Sequence, residues 1–525
     1  MEFMNAIRQT LNDERAITEN GAVGYRTTGK ELLDLNFAVA SLRRMDETEI
    51  ARRFKKAFCE DKILAMKWLF YARDARQGLG ERRLFRVVLA DLVKSNPEMV
   101  IPVINLIPEY GRYDDLWCLL DNPDSAIAVC NLVDNQLALD VQNMIAGKPI
   151  SLLAKWMPSI NASSHKTKEY GKRLAKVLGV SERNYRKALS RLRKYLDVVE
   201  VKMSGKNWSE IKYEAVPSRA NLIYNSAFLR NDEERRREYL GKLEKGETKI
   251  NASTLFPHDI VHKYGRGYGM SPKDATIEAL WKALPDTVKG CGDTIVVADG
   301  SGSMTTCVDA KSRVTALEVA NALAIYFAEH SSGQFKDKYI TFSENPQFVD
   351  FSKCDSLYAQ LQTASAHDEV ANTNIEKVFA LILDTAVRNR MAQADLPANI
   401  LIISDMEFDA CATSGESEMR RDRWGYTYSS SRKAPTQTLF DTIAKRYAAH
   451  GYKMPRLVFW NVASRTGTIP VKENDLGVAL VSGFSVNVAK MVMSGETDPF
   501  KALLETLNSE RYSPIEIALT GSAVG

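Results

Sequence analysis

Residues 293–307 read DTIVVADGSGSMTTC. A β-branched apolar run, 294–298, stops at one acid, Asp299, and is followed at once by Gly300, Ser301, Gly302 and Ser303. An apolar run without polar alternation predicts a strand buried on both faces, as in a parallel sheet. The glycines let the chain turn tightly at its end, so that a carboxylate and two hydroxyls can face one point.

Apolar runs at 338–343, 399–404, 456–462 and 477–483 predict further strands. Amphipathic stretches at 315–330, 374–391 and 436–451 predict helices between them. Strands alternating with helices mean βαβ units around a mostly parallel sheet, which we expect over 291–525. Ligands of such sheets bind at the carboxyl ends of the strands. Asp299, Ser301 and Ser303 fall at that edge, Thr373 stands at the entrance of the 374 helix, and Asp405 ends the 399–404 strand. Two carboxylates and three hydroxyls are hard oxygen donors, suited to Mg²⁺, with Mn²⁺ or Ca²⁺ as alternatives, rather than to zinc or copper. Residues 406–435 read as an insertion over the same face.

The preceding half, 1–290, has a different period. ETEIARRFKKAFCEDKILAMKWLFYARDAR, from residue 47 on, places apolar residues at three- and four-residue steps, and Gly- and Pro-containing breaks recur. Short helices punctuated in this way fit antiparallel pairs stacked as a solenoid.

The net charge of +4 conceals an asymmetry. Residues 1–290 carry 48 Lys and Arg against 38 Asp and Glu, whereas 291–525 carry 22 against 28. Within 165–206 there are 13 basic and 4 acidic residues. Tyr185, Ala188, Leu189, Leu192 and Leu196 share one helical face, and Arg183, Arg186, Lys187, Arg191, Arg193 and Lys194 lie off it. With Lys166, Lys168, Lys172 and Arg173 they make a candidate phosphate-binding, and so RNA-binding, surface. An ordinary solvated face, or attraction between the two halves, are the alternative readings.

Other classes find little support. No apolar run approaches the roughly 18 residues that span a membrane. The first 21 residues mix charges and lack a signal-peptide core. Seven cysteines without a C-x-x-C pair suggest free thiols and a cytoplasmic location. Ser301 is not in a G-x-S-x-G elbow, and no G-x-x-x-x-G-K-[ST] loop occurs. HDIVH, His258 to His262, has the i, i+4 spacing of a zinc helix but Asp259 in place of the catalytic Glu, and no evident third ligand. We therefore expect a protein that is not an enzyme.

The pattern D-G-S-G-S, then Thr373, then Asp405 resembles the metal-ion-dependent adhesion site of von Willebrand factor A domains. The resemblance implies a divalent ion held by Asp299, Ser301, Ser303, Thr373 and Asp405, with one position left for a partner's carboxylate. Met406, Glu407 and Phe408 depart from it, since glycine is common after the last acid. The stretches FYARDARQGLGERRLFR, YGRYDDLW, LLAKWMPSINASSHKTK and WSEIKYEAVPSRA, with the helical-then-α/β order, resemble the TROVE/Ro autoantigen family and a Ro-related domain-of-unknown-function group. That resemblance implies a HEAT-like helical ring closed by the A-like domain, and binding of small structured or misfolded RNAs in RNA quality control. The other class of function is an assembly adaptor, gripping an acidic residue of a partner such as an AAA+ ATPase.

Overall fold

The computed structural model describes residues 15–265, 269–288, 293–309, 312–342, 345–368, 374–409, 417–421, 427–431, 439–471, 477–489, 496 and 498–521. The chain divides into two compact units. An α/β unit comprises Met1–Met45, Phe256–Lys273 and Asp286–Thr506; a helical unit comprises Asp46–Leu255, Asp274–Pro285 and Leu507–Gly525. A single cut between 290 and 291 thus gives way to interleaved units. Both chain ends return to the unit opposite the one that a linear division assigns them.

In the α/β unit, β1 (Arg15–Ile17) and β2 (Val23–Tyr25) form an antiparallel hairpin. The main sheet takes β3 (Thr294–Asp299), β4 (Lys338–Phe342), β5 (Gln347–Asp350) and β6 (Asn399–Ser404). β7 (Ser417–Arg421) and β8 (Thr427–Ser431) make a separate antiparallel hairpin inside the expected insertion. β9 (Arg456–Asn461) and β10 (Val478–Ser482) complete the sheet, whose order is β10-β9-β6-β3-β4-β5. All neighbours are parallel except the edge pair β4–β5. The five expected strands agree with β3, β4, β6, β9 and β10 to within a residue at either end.

Every residue of β9 and β10 is buried, and all of β6 but its first, which is why they read as continuous apolar runs. β5 was not legible in this way: it is a four-residue edge with Phe348 exposed. The helix Ala316–His330 is buried over 13 of its 15 residues, since ALEVANALAIYF is apolar apart from Glu318 and Asn321. Its start is set by a reciprocal cap. Thr315 Oγ1 accepts from Glu318 N at 3.2 Å, and Thr315 N donates to Glu318 Oε2 at 2.7 Å.

In the helical unit the periodic stretch from residue 47 forms two helices, Glu47–Glu60 and Lys62–Arg73. Asp61 adopts extended backbone and caps the second by accepting from Leu64 N at 2.9 Å. The helix Arg82–Ser95 packs on both. The turn before it requires a glycine, because a Cβ on Gly78 would lie 2.0 Å from the Tyr71 carbonyl oxygen.

The stretches FYARDARQG and YGRYDDLW meet in a buried ionic knot. Asp115, fully buried, accepts from Arg73 Nε at 2.8 Å, Arg112 N at 3.0 Å and Arg86 Nε at 2.6 Å. Asp114 takes Arg86 Nη2 at 2.8 Å and Arg112 Nε at 3.1 Å. Asp74 receives Arg511 Nε at 2.8 Å, and Tyr110 Oη donates to the Arg511 carbonyl at 2.5 Å. Those contacts, with the Tyr110–Tyr512 stack at 5.8 Å, tie the C-terminal segment to the helical unit. Further along, fully buried Arg236 sits among Tyr213, Phe228 and Tyr239, with its guanidinium 4.9, 5.2 and 5.3 Å from their ring centres. It donates to Asn221 Oδ1 at 3.2 Å and to Asn225 Oδ1 and Thr276 Oγ1 at 3.3 Å.

Candidate functional site

The chain runs from β3 outward to β4 and β5 on one side, then returns to build β6, β9 and β10 on the other. The strand order reverses between β3 and β6, and a crevice for ligands opens at the carboxyl ends of such a pair. Asp299 ends β3, and Asp405 follows β6. Both are buried.

Around them the turn closes as its glycines allow. Asp299 Oδ1 accepts from Ser301 N at 2.9 Å, and its Oδ2 accepts from Ser404 Oγ at 2.5 Å. The Ser301 and Ser303 hydroxyls are 3.0 Å apart. The Ser303 hydroxyl is near enough to Asp405 to favour its charged form, and Asp405 Oδ1 accepts from Glu407 N at 3.2 Å. Four of the five expected ligands, Asp299, Ser301, Ser303 and Asp405, therefore come together, and Thr373 lies outside the described residues.

The electrostatics of this group favour a cation. Burial, and then the negative charge of Asp405, raise the pKa of Asp299. Burial also raises that of Asp405, against the Ser303 hydroxyl and the nearby Arg465. Two buried carboxylates at one strand junction are costly as anions. A hard divalent ion would relieve that cost, and carboxylate and hydroxyl oxygens are its preferred donors. These residues fit the ion that the sequence pattern implies.

Two guanidiniums accompany the carboxylates. Arg465 Nη2 lies 3.6 Å from Asp405 Oδ2 and 3.0 Å from Glu19 Oε2. Arg44 donates to Thr306 Oγ1 at 2.9 Å and the Cys307 carbonyl at 2.5 Å, and it feels the charges of both Arg465 and Asp405.

The departure at Met406–Phe408 has a structural reason that the sequence did not reveal. Met406 has φ +64°, the left-handed conformation that glycine adopts most easily, and its side chain is buried. Glu407 then points inward. Its Oε1 accepts from Arg465 N and Thr466 N, both at 2.9 Å, and its Oε2 from Glu19 N at 2.9 Å. One buried carboxylate thus positions the loop that carries Arg465 and holds the turn of the β1–β2 hairpin. Thr18 Oγ1 adds a bond to the Phe408 carbonyl at 2.6 Å. A glutamate one residue after a non-glycine at this turn was the available signal.

HDIVH does not make a zinc site. His258 stacks with Phe256 at 5.6 Å, and His262 Nδ1 is 2.9 Å from Glu318 Oε1. Among the described residues no cluster of three or more His, Cys, Asp or Glu side chains could hold a metal. The five described cysteines are free thiols.

In the helical unit the basic segment forms two helices, His165–Val177 and Glu182–Tyr195, capped by Ser164 and Ser181. Tyr185, Leu189 and Leu192 are buried as the period requires; Ala188 is exposed and Leu196 half-buried. Lys166, Lys172, Arg173, Arg183, Arg186, Lys187, Arg191 and Lys194 are exposed, and Lys168 is half-buried. Lys166 reaches Asp121 at 3.4 Å and Lys172 reaches Glu182 at 3.8 Å. Arg193 is the exception. Its guanidinium turns inward and donates to Ala154 O and Met157 O, both at 2.8 Å, and to Ser159 Oγ at 3.0 Å. Its place off the apolar stripe did not make it a free cation, because it lies at the margin where the helix meets 154–159.

The charges of the second helix are arranged at a local cost. Arg183, Lys187, Arg191 and Lys194 follow i, i+4 and i, i+3 steps and form one stripe, where each like-charge pair is unfavourable by about 0.2–0.5 kcal/mol. Among the described residues none of the four has an acidic partner within ion-pair distance.

Comparison with known proteins gives similar but functionally uninformative relatives. A family model described as Domain of unknown function (DUF2828) matches residues 18–109 and 162–293. Another, Domain of unknown function (DUF7788), matches 293–512. The two matches meet at residue 293. An uncharacterized protein, L728, of Acanthamoeba polyphaga mimivirus is 28% identical, covering 96% of this chain and 89% of its own. Among solved structures, the Deinococcus radiodurans RO (RSR) protein is similar at 16% identity and a TM-score of 0.45, covering 84% of this chain and 93% of that one. The similarities therefore run along both the helical and the α/β parts of the sequence.

Proposed function

We propose that this chain is a Ro-like RNA-binding protein without enzymatic activity, whose helical unit grips RNA phosphates through 165–195. The carrying observation is the stripe Arg183, Lys187, Arg191, Lys194: exposed, mutually repelling, and without an acidic partner among the described residues. Such an arrangement is unfavourable in the free protein and favourable against a polyanion. The test is filter binding with structured and single-stranded RNA at several salt concentrations. For four to six phosphate contacts the slope of log K on log salt is roughly −3 to −5. Changing Arg186, Lys187, Arg191 and Lys194 to Glu is expected to weaken all RNAs alike, since phosphate contacts carry no sequence information. Unchanged affinity in that variant refutes the reading.

A second reading rests on a separate observation, the convergence of Asp299, Ser301, Ser303 and Asp405. It is a von Willebrand A-like adhesion site, in which a divalent ion, Mg²⁺ first among candidates, takes an acidic residue of a protein partner. The ion would supply the electrophilic position; the chain supplies the oxygen donors and, in Arg44 and Arg465, positive charge beside them. Calorimetric titration of Mg²⁺ or Mn²⁺ is expected to show binding to the wild type and none to Asp299→Ala. Equal affinities would remove this reading without touching the first.

A further inference from the structure

The last turn of the helix Glu182–Tyr195 borders an open cleft of about 480 Å³ lined by Met144, Arg191, Lys194, Tyr195 and Asp197. Its composition is unlike the rest of the basic surface. Tyr195 is 38% exposed, yet its hydroxyl is anchored to the Lys148 carbonyl at 2.9 Å, so the ring is held in place while part of it faces solvent. Arg191 and Lys194 line the same cleft as exposed cations. Asp197, the acid of the cleft, is engaged by Lys202 at 2.8 Å. Met144 gives an apolar wall, and Ile145 beside it is 80% exposed.

Resting on the RNA reading above, we infer that this cleft takes an unpaired nucleotide of an RNA strand, its base against the Tyr195 ring and its phosphates on Arg191 and Lys194. The volume lies within the range of small-ligand sites. A fixed aromatic ring sharing a cleft with exposed cations is the combination that single-stranded nucleic acid uses, because every base has a face to stack and every link a charge. A duplex has no free base to offer, and an acidic peptide would use the cations but leave the ring without a planar partner. The stripe from Lys194 back to Arg183 continues the positive charge for about 16 Å along the helix, a path for the strand on leaving the cleft.

The test uses the full chain with fluorescein-labelled oligoadenylate and a labelled RNA duplex of equal length. Tyr195→Ala is expected to weaken oligoadenylate about 5- to 150-fold, the worth of one stacked base. Duplex affinity and the salt slope should stay at wild-type values, and Tyr195→Phe, which keeps the ring, should keep most of the affinity. If Tyr195→Ala binds oligoadenylate like wild type while the Arg186, Lys187, Arg191, Lys194 charge reversal loses it, the cleft is not a base site and only the surface reading survives. Equal losses for oligoadenylate and duplex in Tyr195→Ala, or competition by polyglutamate as effective as by unlabelled oligoadenylate, would likewise overturn the proposal. Wild-type RNA affinity in the charge-reversed protein would remove both.

Discussion

Replacing Asp115 with asparagine strikes the centre of the ionic knot in the helical unit. Three donors converge on this carboxylate: Arg73 Nε and the Arg112 backbone N–H on Oδ2, and Arg86 Nε on Oδ1 at 2.6 Å. Asparagine has one oxygen and one amide nitrogen. With its oxygen at the Oδ2 position it keeps two donors and sets its own N–H₂ against Arg86; turned over, it loses two. In either case the negative charge facing Arg73 disappears. Arg86 has Asp114 as a second partner and a side chain 30% exposed, so it can turn towards water. Arg73, 4% exposed, cannot. Removing one partner of a buried pair is unfavourable by about 3–5 kcal/mol, and the trapped Arg73 places Asp115→Asn in that range. Arg73→Met is expected to be milder, about 1–3 kcal/mol, because Asp115 retains Arg86 and the Arg112 N–H. Urea unfolding followed by far-ultraviolet circular dichroism measures both. With a slope of about 1–3 kcal/mol/M, Asp115→Asn should lower the midpoint by roughly 1 M or more. A wild-type midpoint, or a larger loss in Arg73→Met than in Asp115→Asn, would show that the knot does not stabilise the unit in this way.

Three more outcomes are expected. Gly78→Ala pushes a Cβ to 2.0 Å from the Tyr71 carbonyl and should destabilise by more than the about 1–3 kcal/mol usual for overpacking, whereas Gly241→Ala, in a helix with open space around it, should stabilise by about 0.5–1 kcal/mol; thermal melts separate the two. Arg193→Ala should lower the melting temperature, at about 1.5–3 kcal/mol for a charged donor set, and leave the salt slope of RNA binding unchanged, since its guanidinium serves Ala154, Met157 and Ser159. Hydrogen bonds from Arg52 and Arg53 hold the Glu49 carboxyl down at about 2 against an ordinary 4.5, so its contribution is present above pH 4.5 and fades as pH falls towards 2. The stability gap between wild type and Glu49→Gln, followed by melts across that window, should narrow in acid; a constant gap contradicts the pairing.

Local chemistry was enough to read much of this protein. β3, β6, β9 and β10 are buried on both faces, so their apolar runs stand out without any knowledge of neighbours. The turn DGSGS and the cap Thr315–Glu318 are decided within a few residues, and so is the amphipathic period that buries Tyr185, Leu189 and Leu192. Because strands of a parallel sheet end at one edge, the meeting of Asp299, Ser301, Ser303 and Asp405 followed from the strand assignments alone.

What remained hidden depends on partners hundreds of residues away. No local pattern marks Glu19, Glu407 and Thr466 as one cluster, or sends Arg511 back to Asp74. The interleaving of the two units comes from such contacts, and a linear boundary near 290 could not express it. The same holds for Arg193, a basic residue among basic residues by sequence. Only the backbone carbonyls of Ala154 and Met157, set in place by packing, turn it from a surface charge into an anchor. Periodicity specifies the direction in which a side chain leaves its helix; whether it meets water, a carbonyl or a carboxylate there is settled by the other elements that pack against it.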